Sequence, residues 1–431
     1  MDTERAAVYP AAEALSAACE NVLDGTPADA VGGIVPAFVA SPASTQETAA
    51  VLRAAAAHGL AVVPRGAGTG LAWGAAPSRC DLVVDLREMN QVLEHAAGDL
   101  VARVQAGATI EHLASVLAQA GQELAIDAPA QATVGGVIAT GTAGPRRLRY
   151  GAPRDLLIGI TAVRADGVVA HSGGKVVKNV AGYDLGKLLT GSQGTLALIT
   201  EATFRLHPLP AAVAYVTAEF AASEPGRAGA VAAVGSAAGS GLVPSAVELD
   251  WPGGRAETPR PLRIGVLLEG TESGVADRAK QMSELLASAS GGPAVAVSHS
   301  PPARWGQVPS AGIVVRVSFW VSALGDVLEA VTAAGADTGT RAAVTGSAGA
   351  GLLYACLDPA VADESAGRFV TALRERLAPL SVSGPRTSVV VLAGPAGIPA
   401  YATVPGAALM QAVKDQFDPD HRMFPGRLAA G

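Results

Sequence analysis

The sequence predicts an α+β protein built from two domains, and three observations carry that prediction. With 431 residues the chain is longer than one hydrophobic core ordinarily supports. Runs of strand and helix periodicity alternate along most of it. A long strand-like run, GTLALITEATFRLHPLP, stops at Pro208 and Pro210, neither of which can donate to a β-ladder. The expected layout is a first domain over residues 1–210, a second α+β domain over 211–394 and a C-terminal segment over 395–431 that returns to the first.

The first clear helix signal is Ser44-Thr45-Gln46-Glu47, a capping box in which the serine hydroxyl accepts an amide three residues on and the glutamate reaches back. The helix runs to His58, and Gly59 stands where a left-handed residue ends helices. Leu60–Val63, Leu82–Asp85 and Leu100–Gln105 read as strands, and Ile110, Leu113 and Leu117 mark one face of a helix ending at Gly121. Asp166-Gly167, between LLIGITAV and VVAH, signals a hairpin with a type I′ turn. Beyond the boundary, Val213–Phe220, Ala246–Trp251, Leu262–Leu268, Ile313–Val321, Leu352–Leu357 and Val389–Leu392 read as strands. They alternate with helical runs near 274–289, 323–335 and 361–378. That alternation predicts an open sheet with antiparallel neighbours and helices on one face. AASEPGRAGA and SASGGPAVAV read as loops, and a helix over GAALMQAVKDQF leads to DPDHRMFPGR, with no solenoid repeat.

Apolar residues make up 49% of the chain and charged residues 16%, the balance of a packed protein rather than a disordered one. A formal charge of -7 and a pI near 5.6 argue against a nucleic-acid or anionic-membrane surface. Cys19, Cys80 and Cys356 are scattered without a C-x-x-C, so this chain alone is expected to ligate neither a zinc knuckle nor an iron–sulfur cluster. The start, MDTERAAVYP, lacks a signal-peptide pattern, and no run approaches 18 apolar residues. The apolar run 312–324 carries Arg316 and alternates like a strand. A cytoplasmic chain is expected.

The chemistry-bearing stretch is PRGAGTGLAWG, residues 64–74, which follows the apolar run Leu60–Val63. A dinucleotide-binding G-x-G-x-x-G fails, because Leu71 and Trp73 fall where the last glycine belongs. A Walker A loop fails because Leu188 and Val176 follow the Gly-Lys pairs where Ser or Thr is needed for magnesium. A nucleophile elbow at Ser192 lacks the glycine two residues earlier. Two readings survive: an anion-binding nest of glycine amides, or a plain tight turn.

Two further glycine clusters narrow the choice: ATVGGVIATGTAGPRRLRYGAPRDL over 132–156 and KVVKNVAGYDLGKLLTGSQGTLALITEATFRL over 175–206. Together the three segments resemble the flavin domain of the vanillyl-alcohol oxidase / p-cresol methylhydroxylase superfamily. The resemblance implies a p-cresol methylhydroxylase-type FAD-binding domain with an α+β, ferredoxin-like cap. It implies that Pro64, Arg65, Gly66, Ala67, Gly68, Thr69, Gly70 and Leu71, with Thr133, Val134, Gly135, Gly136, Gly141 and Gly144, cradle FAD, and that Gly194 and Ile199 close the site near the adenine. Members that tether FAD through the first loop carry His where Thr69 stands, so the implied FAD is non-covalent.

GPRRLRYGAPRDLLIG, GGKVVKNVAGYDL, RTSVVVLAGPAG and FDPDHRMFPGR make the chain similar to the E subunits of glycolate oxidases. Such chains work with a second flavin subunit and an iron–sulfur subunit, oxidising a small 2-hydroxy acid to a 2-oxo acid and passing electrons to a membrane acceptor. Any membrane association is then through partners, at the inner face. Two departures stand out. TGSAGAGLLY, residues 345–354, takes the place of a His- and Asp-bearing metal segment, so no metal site is expected. Phe424 stands where Asn usually precedes Pro-Gly-Arg.

Oxidising a 2-hydroxy acid requires cations for the carboxylate, a base for the hydroxyl and a cation near the flavin. The catalytic candidates are Arg146, Lys178, Asn179 and Tyr183. Arg146 faces a ligand or pairs with Asp155 or Asp184, and Tyr183 donates to the flavin edge or packs in the core. Seven histidines share no motif, which leaves the chain without an evident general base. Two rival functions stay open: a non-catalytic FAD-binding scaffold or electron relay, and a stand-alone flavin-dependent alcohol dehydrogenase.

Overall fold

The structure is a computed structural model that describes residues 2–174, 182–252, 260–308, 312–381, 387–395, 397–402 and 406–427. It divides into two compact units. The first comprises Met1–Ala143, Ala152–Leu209 and Thr403–Gly431, the second Gly144–Gly151 and Pro210–Ala402. The arginine-rich segment 144–151 therefore packs with the second unit, inside the span that the sequence assigned to the first.

The first unit contains two principal sheets. Strands β1 (Val22–Asp24), β2 (Phe38–Ala40), β3 (Val62–Arg65) and β4 (Leu82–Asp85) form one, in the order β1-β2-β4-β3. β4 pairs in parallel with both β2 and β3. Such strands are covered on both faces, and Val62, Val63, Leu82, Val83 and Val84 are fully buried. The crossover between β2 and β3 is the helix Thr45–Ala57. Its cap departs from the expected box in one detail: Ser44 Oγ accepts from the Glu47 amide at 3.1 Å, but Glu47 reaches the Ala43 amide at 2.9 Å, not that of Ser44.

Strands β5 (Val92–Ala96) and β6 (Val101–Gln105), the short β7 (Gln122–Glu123), and β8 (Leu157–Arg164), β9 (Val169–Gly173), β10 (Ala197–Arg205) and β11 (His207–Pro208) follow. Five of them form an antiparallel sheet in the order β5-β6-β10-β8-β9, and β11 pairs with β7. The β8–β9 turn is not type I′. Of Asp166 and Gly167 only the glycine has positive φ (+76°), and the Gly167 amide bonds the Arg164 carbonyl at 2.9 Å. This is the three-residue loop in which a type I turn ends in a left-handed glycine.

The C-terminal segment is stitched into the first sheet. The Val62 amide donates to Arg422 at 2.7 Å, and the Phe424 amide returns to Val62 at 2.8 Å. Asp418, fully buried, accepts from the amides of Arg422 (3.1 Å) and Met423 (2.7 Å) and from Lys414 Nζ. Lys414 also donates to the carbonyls of Thr195 (2.7 Å) and Met423 (2.9 Å). Burial pulls its ammonium below the ordinary lysine value despite the Asp418 charge.

In the second unit, β12 (Ala212–Phe220), β13 (Ala246–Trp251), β14 (Leu262–Gly270), β15 (Ala294–Ser298), β16 (Ile313–Ser318), β17 (Ala342–Gly346), β18 (Leu352–Leu357) and β19 (Ser388–Ala393) form one antiparallel sheet. Its order is β15-β12-β14-β13-β17-β18-β16-β19. Helices Glu224–Ala238, Glu272–Ala287, Leu324–Thr338 and Asp363–Leu377 occupy the first and last connections of two β-α-β-β-α-β halves. Numbered within each half, the strands run 4-1-3-2, and the halves join edge to edge through β13 and β17. Side chains from all four helices share a single core with Val247, Leu249, Val315, Val317, Leu353 and Ala355 of the sheet.

The sequence reading missed the helix Glu224–Ala238 because AASEPGRAGA is rich in loop formers. Its Pro225 sits in the first turn, where no amide is needed, and Ser223 Oγ caps the Gly226 amide at 3.3 Å. Its Gly229 is a packing residue, since a Cβ there would lie 2.0 Å from the Ser290 carbonyl oxygen.

Asp418→Ala should destabilise the first unit by about 3–5 kcal/mol, because it leaves a buried ammonium without its counter-charge and two amides without an acceptor. Chemical denaturation monitored by circular dichroism measures this. A loss below about 1 kcal/mol would show that water replaces the carboxylate.

Candidate functional site

Three glycine segments of the first unit interlock by backbone proximity. A Cβ at Gly66 would fall 2.1 Å from Thr133 Oγ1, one at Gly70 2.7 Å from Thr140 Cγ2, and one at Gly194 2.9 Å from Pro64 Cγ. Gly135 is likewise closed, 2.8 Å from Ala106 Cβ. Gly68 differs: its φ is +77° and no atom lies within 4 Å of its Cβ position, so it serves conformation at an open loop tip.

These segments line a cleft that is open to solvent. Pro64, Arg65, Gly66, Ala67, Gly68, Thr69, Gly70, Leu71, Thr133, Gly135, Gly136, Gly194 and Ile199 all line it. The amides of residues 67–70 donate to no acceptor among the described residues, and 67–69 are exposed. Consecutive free amides around a left-handed glycine form a nest for an anion. The amides of Gly135 and Gly136 are already committed, to the Ala106 carbonyl at 2.7 Å and to Thr133 Oγ1 at 3.3 Å. The anion-binding capacity thus lies in the first loop rather than at the helix Val134–Thr140.

Other expected cofactor residues stand elsewhere. Val134 is buried in the core beneath the cleft. Gly141 ends the helix Val134–Thr140 in a left-handed conformation, φ +66°, against Gly191. Gly144 belongs to the second unit and does not line the cleft. Arg65 lines the cleft but its guanidinium is occupied, 2.9 Å from Asp29 and 3.0 Å from Asp85.

Of the catalytic candidates, neither Arg146 nor Tyr183 lines this cleft. Lys178 and Asn179 lie outside the described residues. Tyr183 is 93% exposed, which excludes the packed alternative. Arg146 is ion-paired, and its partner is Glu269 at 3.5 Å rather than Asp155 or Asp184. Glu269, buried, also accepts from Tyr150 at 3.2 Å. Asp155 instead accepts from the Ala152 amide, and Asp184 caps the turn at Lys187. TGSAGAGLLY forms the tight connection from β17 to β18, where a Cβ at Gly351 would lie 1.9 Å from the Phe319 carbonyl oxygen. Among the described residues, no three His, Cys, Asp or Glu side chains gather where they could hold a metal ion.

Sequence reasoning missed Thr140, Gln193, Phe424 and Arg427, all of which line the cleft. Arg427 is 2% exposed and holds the first loop from beneath. It donates to the carbonyls of Gly70 (3.0 Å), Leu71 (3.1 Å) and Ala75 (3.1 Å) and to Gln193 Oε1 (2.9 Å), and stacks over Phe424 at 4.6 Å. The signal was its place in the closing FPGR. Asp85 is the second anchor. Burial alone would raise its carboxyl, but hydrogen bonds and charge from Arg87, with the charge of Arg65, hold it below the ordinary value.

Arg427→Ala should weaken cofactor retention roughly tenfold or more without unfolding the unit, read as flavin bound per chain after gel filtration. Unchanged occupancy would remove the residue from the site. Because the folded state lowers the Asp85 pKa, its contribution is complete above the ordinary value of 3.8 and is lost as pH falls through the folded one. The melting temperature of the native chain should therefore drop more steeply below about pH 4 than that of Asp85→Asn. Parallel profiles would exclude the coupling.

Residues 36–173 match the family described as FAD binding domain. Glycolate oxidase subunit GlcD of Bacillus subtilis is 38% identical over 178 residues, covering 41% of this chain and 38% of the relative. D-lactate dehydrogenase of Archaeoglobus fulgidus is 42% identical over 171 residues, covering 39% and 38%. The chain spans less than half the length of the curated relatives it matches. A solved structure of p-cresol methylhydroxylase with substrate bound superposes with a TM-score of 0.78 at 17% identity, over 98% of this chain and 96% of that one. The chain therefore has an FAD-binding domain over residues 36–173, takes FAD as its cofactor and shares the fold of p-cresol methylhydroxylase.

Proposed function

We propose that this chain is the FAD-binding subunit of a glycolate oxidase-like complex, of the E-subunit type. In this reading it oxidises a small 2-hydroxy acid to the 2-oxo acid and delivers electrons through an iron–sulfur partner. The observation that carries the reading is the run of free amides at residues 67–70, set in a cleft formed by three interlocked glycine segments. Two pyrophosphate charges suit such a nest, and the glycines let a large planar group approach the backbone. When bound, FAD supplies the two-electron acceptor. The chain supplies the cradle, the clamp from Arg427 and the apolar wall of Leu198, Ile199 and Phe424. GlcD and D-lactate dehydrogenase among the relatives support a hydroxy-acid substrate. Thr69 in the first loop has no ring nitrogen to bond a flavin, so the FAD is held without a covalent link.

One observation favours the rival reading of a scaffold or relay. Arg146, one of the candidate cations, is engaged by Glu269, and among the described residues no histidine lines the cleft. Activity that depends on partner subunits accommodates both facts.

Acid precipitation of the purified chain should release all yellow colour to the supernatant; colour kept in the pellet would refute non-covalent binding. With glycolate or D-lactate and an artificial dye, the chain alone should turn over slowly or not at all. Addition of its flavin and iron–sulfur partners should restore the rate. Full turnover by the single chain would favour a stand-alone dehydrogenase. Restored turnover that survives loss of FAD from this chain would favour the scaffold.

A further inference from the structure

We infer that the second unit carries a binding site for a small monocarboxylate, built from the Arg316 guanidinium and the Tyr354 hydroxyl. Arg316 lies on β16 directly opposite Tyr354 on β18. Both point away from the helices, since their neighbours Val315, Val317, Leu353 and Ala355 are in the helix-facing core. Arg316 Nε is enclosed without a hydrogen-bond partner. Neither side chain makes a hydrogen bond or ion pair among the described residues, although Tyr354 is 9% exposed. An enclosed guanidinium nitrogen without an acceptor, set beside a phenol, is a costly arrangement in a bare fold.

The duplicated topology provides an internal control. In the first half the equivalent strand pair places Glu219 opposite Arg263, and the two are bonded, Nε to Oε1 at 3.1 Å. In the second half the arginine is on the first strand and faces a hydroxyl instead of a carboxylate. The missing acceptor is the group that a ligand carboxylate would bring: two coplanar oxygens, one set of lone pairs for the guanidinium fork and one for the phenol. Burial pushes the Tyr354 phenol up, so it keeps its proton and donates. Arg316 and Arg147 are among the charges that act on that phenol and favour an anion beside it, while Glu248 opposes one. The site stands within the second unit and goes beyond the proposed turnover, although a 2-hydroxy acid carries the group it would hold.

The probe is oxamate, a monocarboxylate that cannot be oxidised as a 2-hydroxy acid, titrated calorimetrically into the full FAD-loaded chain. One oxamate should bind per chain. Arg316→Met should weaken binding by about tenfold or more and Tyr354→Phe by several-fold, both with unchanged flavin content and circular dichroism. If Arg316→Met fails to fold, Arg316→Lys serves: it keeps the charge, loses the fork and should still bind more weakly. Arg316-dependent oxamate binding supports this site even where the chain assembled with its partners fails to turn over glycolate, an outcome that counts against the proposed function alone. No binding, or equal binding by folded Arg316 variants, would overturn it. Inorganic phosphate binding more tightly than oxamate through Arg316 would overturn the carboxylate assignment.

Discussion

The architecture of the cofactor unit rests on glycine backbone packed directly against the side chains of neighbouring segments. Gly66 against Thr133, Gly70 against Thr140 and Gly194 against Pro64 bring three segments far apart in sequence to one cleft. Each distance is shorter than a Cβ tolerates, so any larger residue at these positions would force the neighbouring side chain to move. This proximity leaves the tip of the first loop with exposed amides and nothing in the protein to receive them. An anion-binding nest is thus a by-product of how the segments pack, stabilised further when phosphate oxygens accept those amides.

A cradle with so little side-chain contact needs stiffening from outside, and arginine provides it. Arg427 gathers three loop carbonyls and Gln193, while Arg65 ties β3 to Asp85 and Asp29. Arg427 comes from the end of the chain, which reaches the site only because residues 422–424 pair with Val62 of β3. Asp418 and Lys414 in turn fix that segment to the Thr195 loop. Cofactor binding and C-terminal docking are therefore one mechanical unit. The sequence marks this only as two motifs separated by more than 350 residues.

Much of the fold was legible because its signals are local. Caps, left-handed glycines and strand alternation placed the helix Thr45–Ala57 and strands such as Leu82–Asp85, Ala246–Trp251 and Leu352–Leu357. Legibility ended where a residue's role depended on tertiary distance. Gly141 and Gly144 look in sequence like the cleft glycines, yet one ends a helix and the other belongs to the second unit. Arg146 offered two nearby carboxylates as partners and took Glu269, more than 100 residues away. Tyr183, exposed, is not the packed core residue that sequence offered as one alternative.

The second unit shows the same limit at the level of topology. No sequence repeat announces that 212–298 and 313–393 follow one strand order, because the halves share a pattern of burial rather than of residues. Divergence between equivalent strand pairs then becomes informative. The two halves have the same helix-facing core requirement, which fixes alternate residues of every strand as apolar. Their opposite faces are free of that requirement and can differ. One half neutralises its arginine with a carboxylate of its own, and the other leaves its arginine beside a phenol. Stability alone favours the first arrangement, since an enclosed donor without an acceptor forfeits its hydration. Under the proposed carboxylate site, the unmatched face serves binding and the matched one folding.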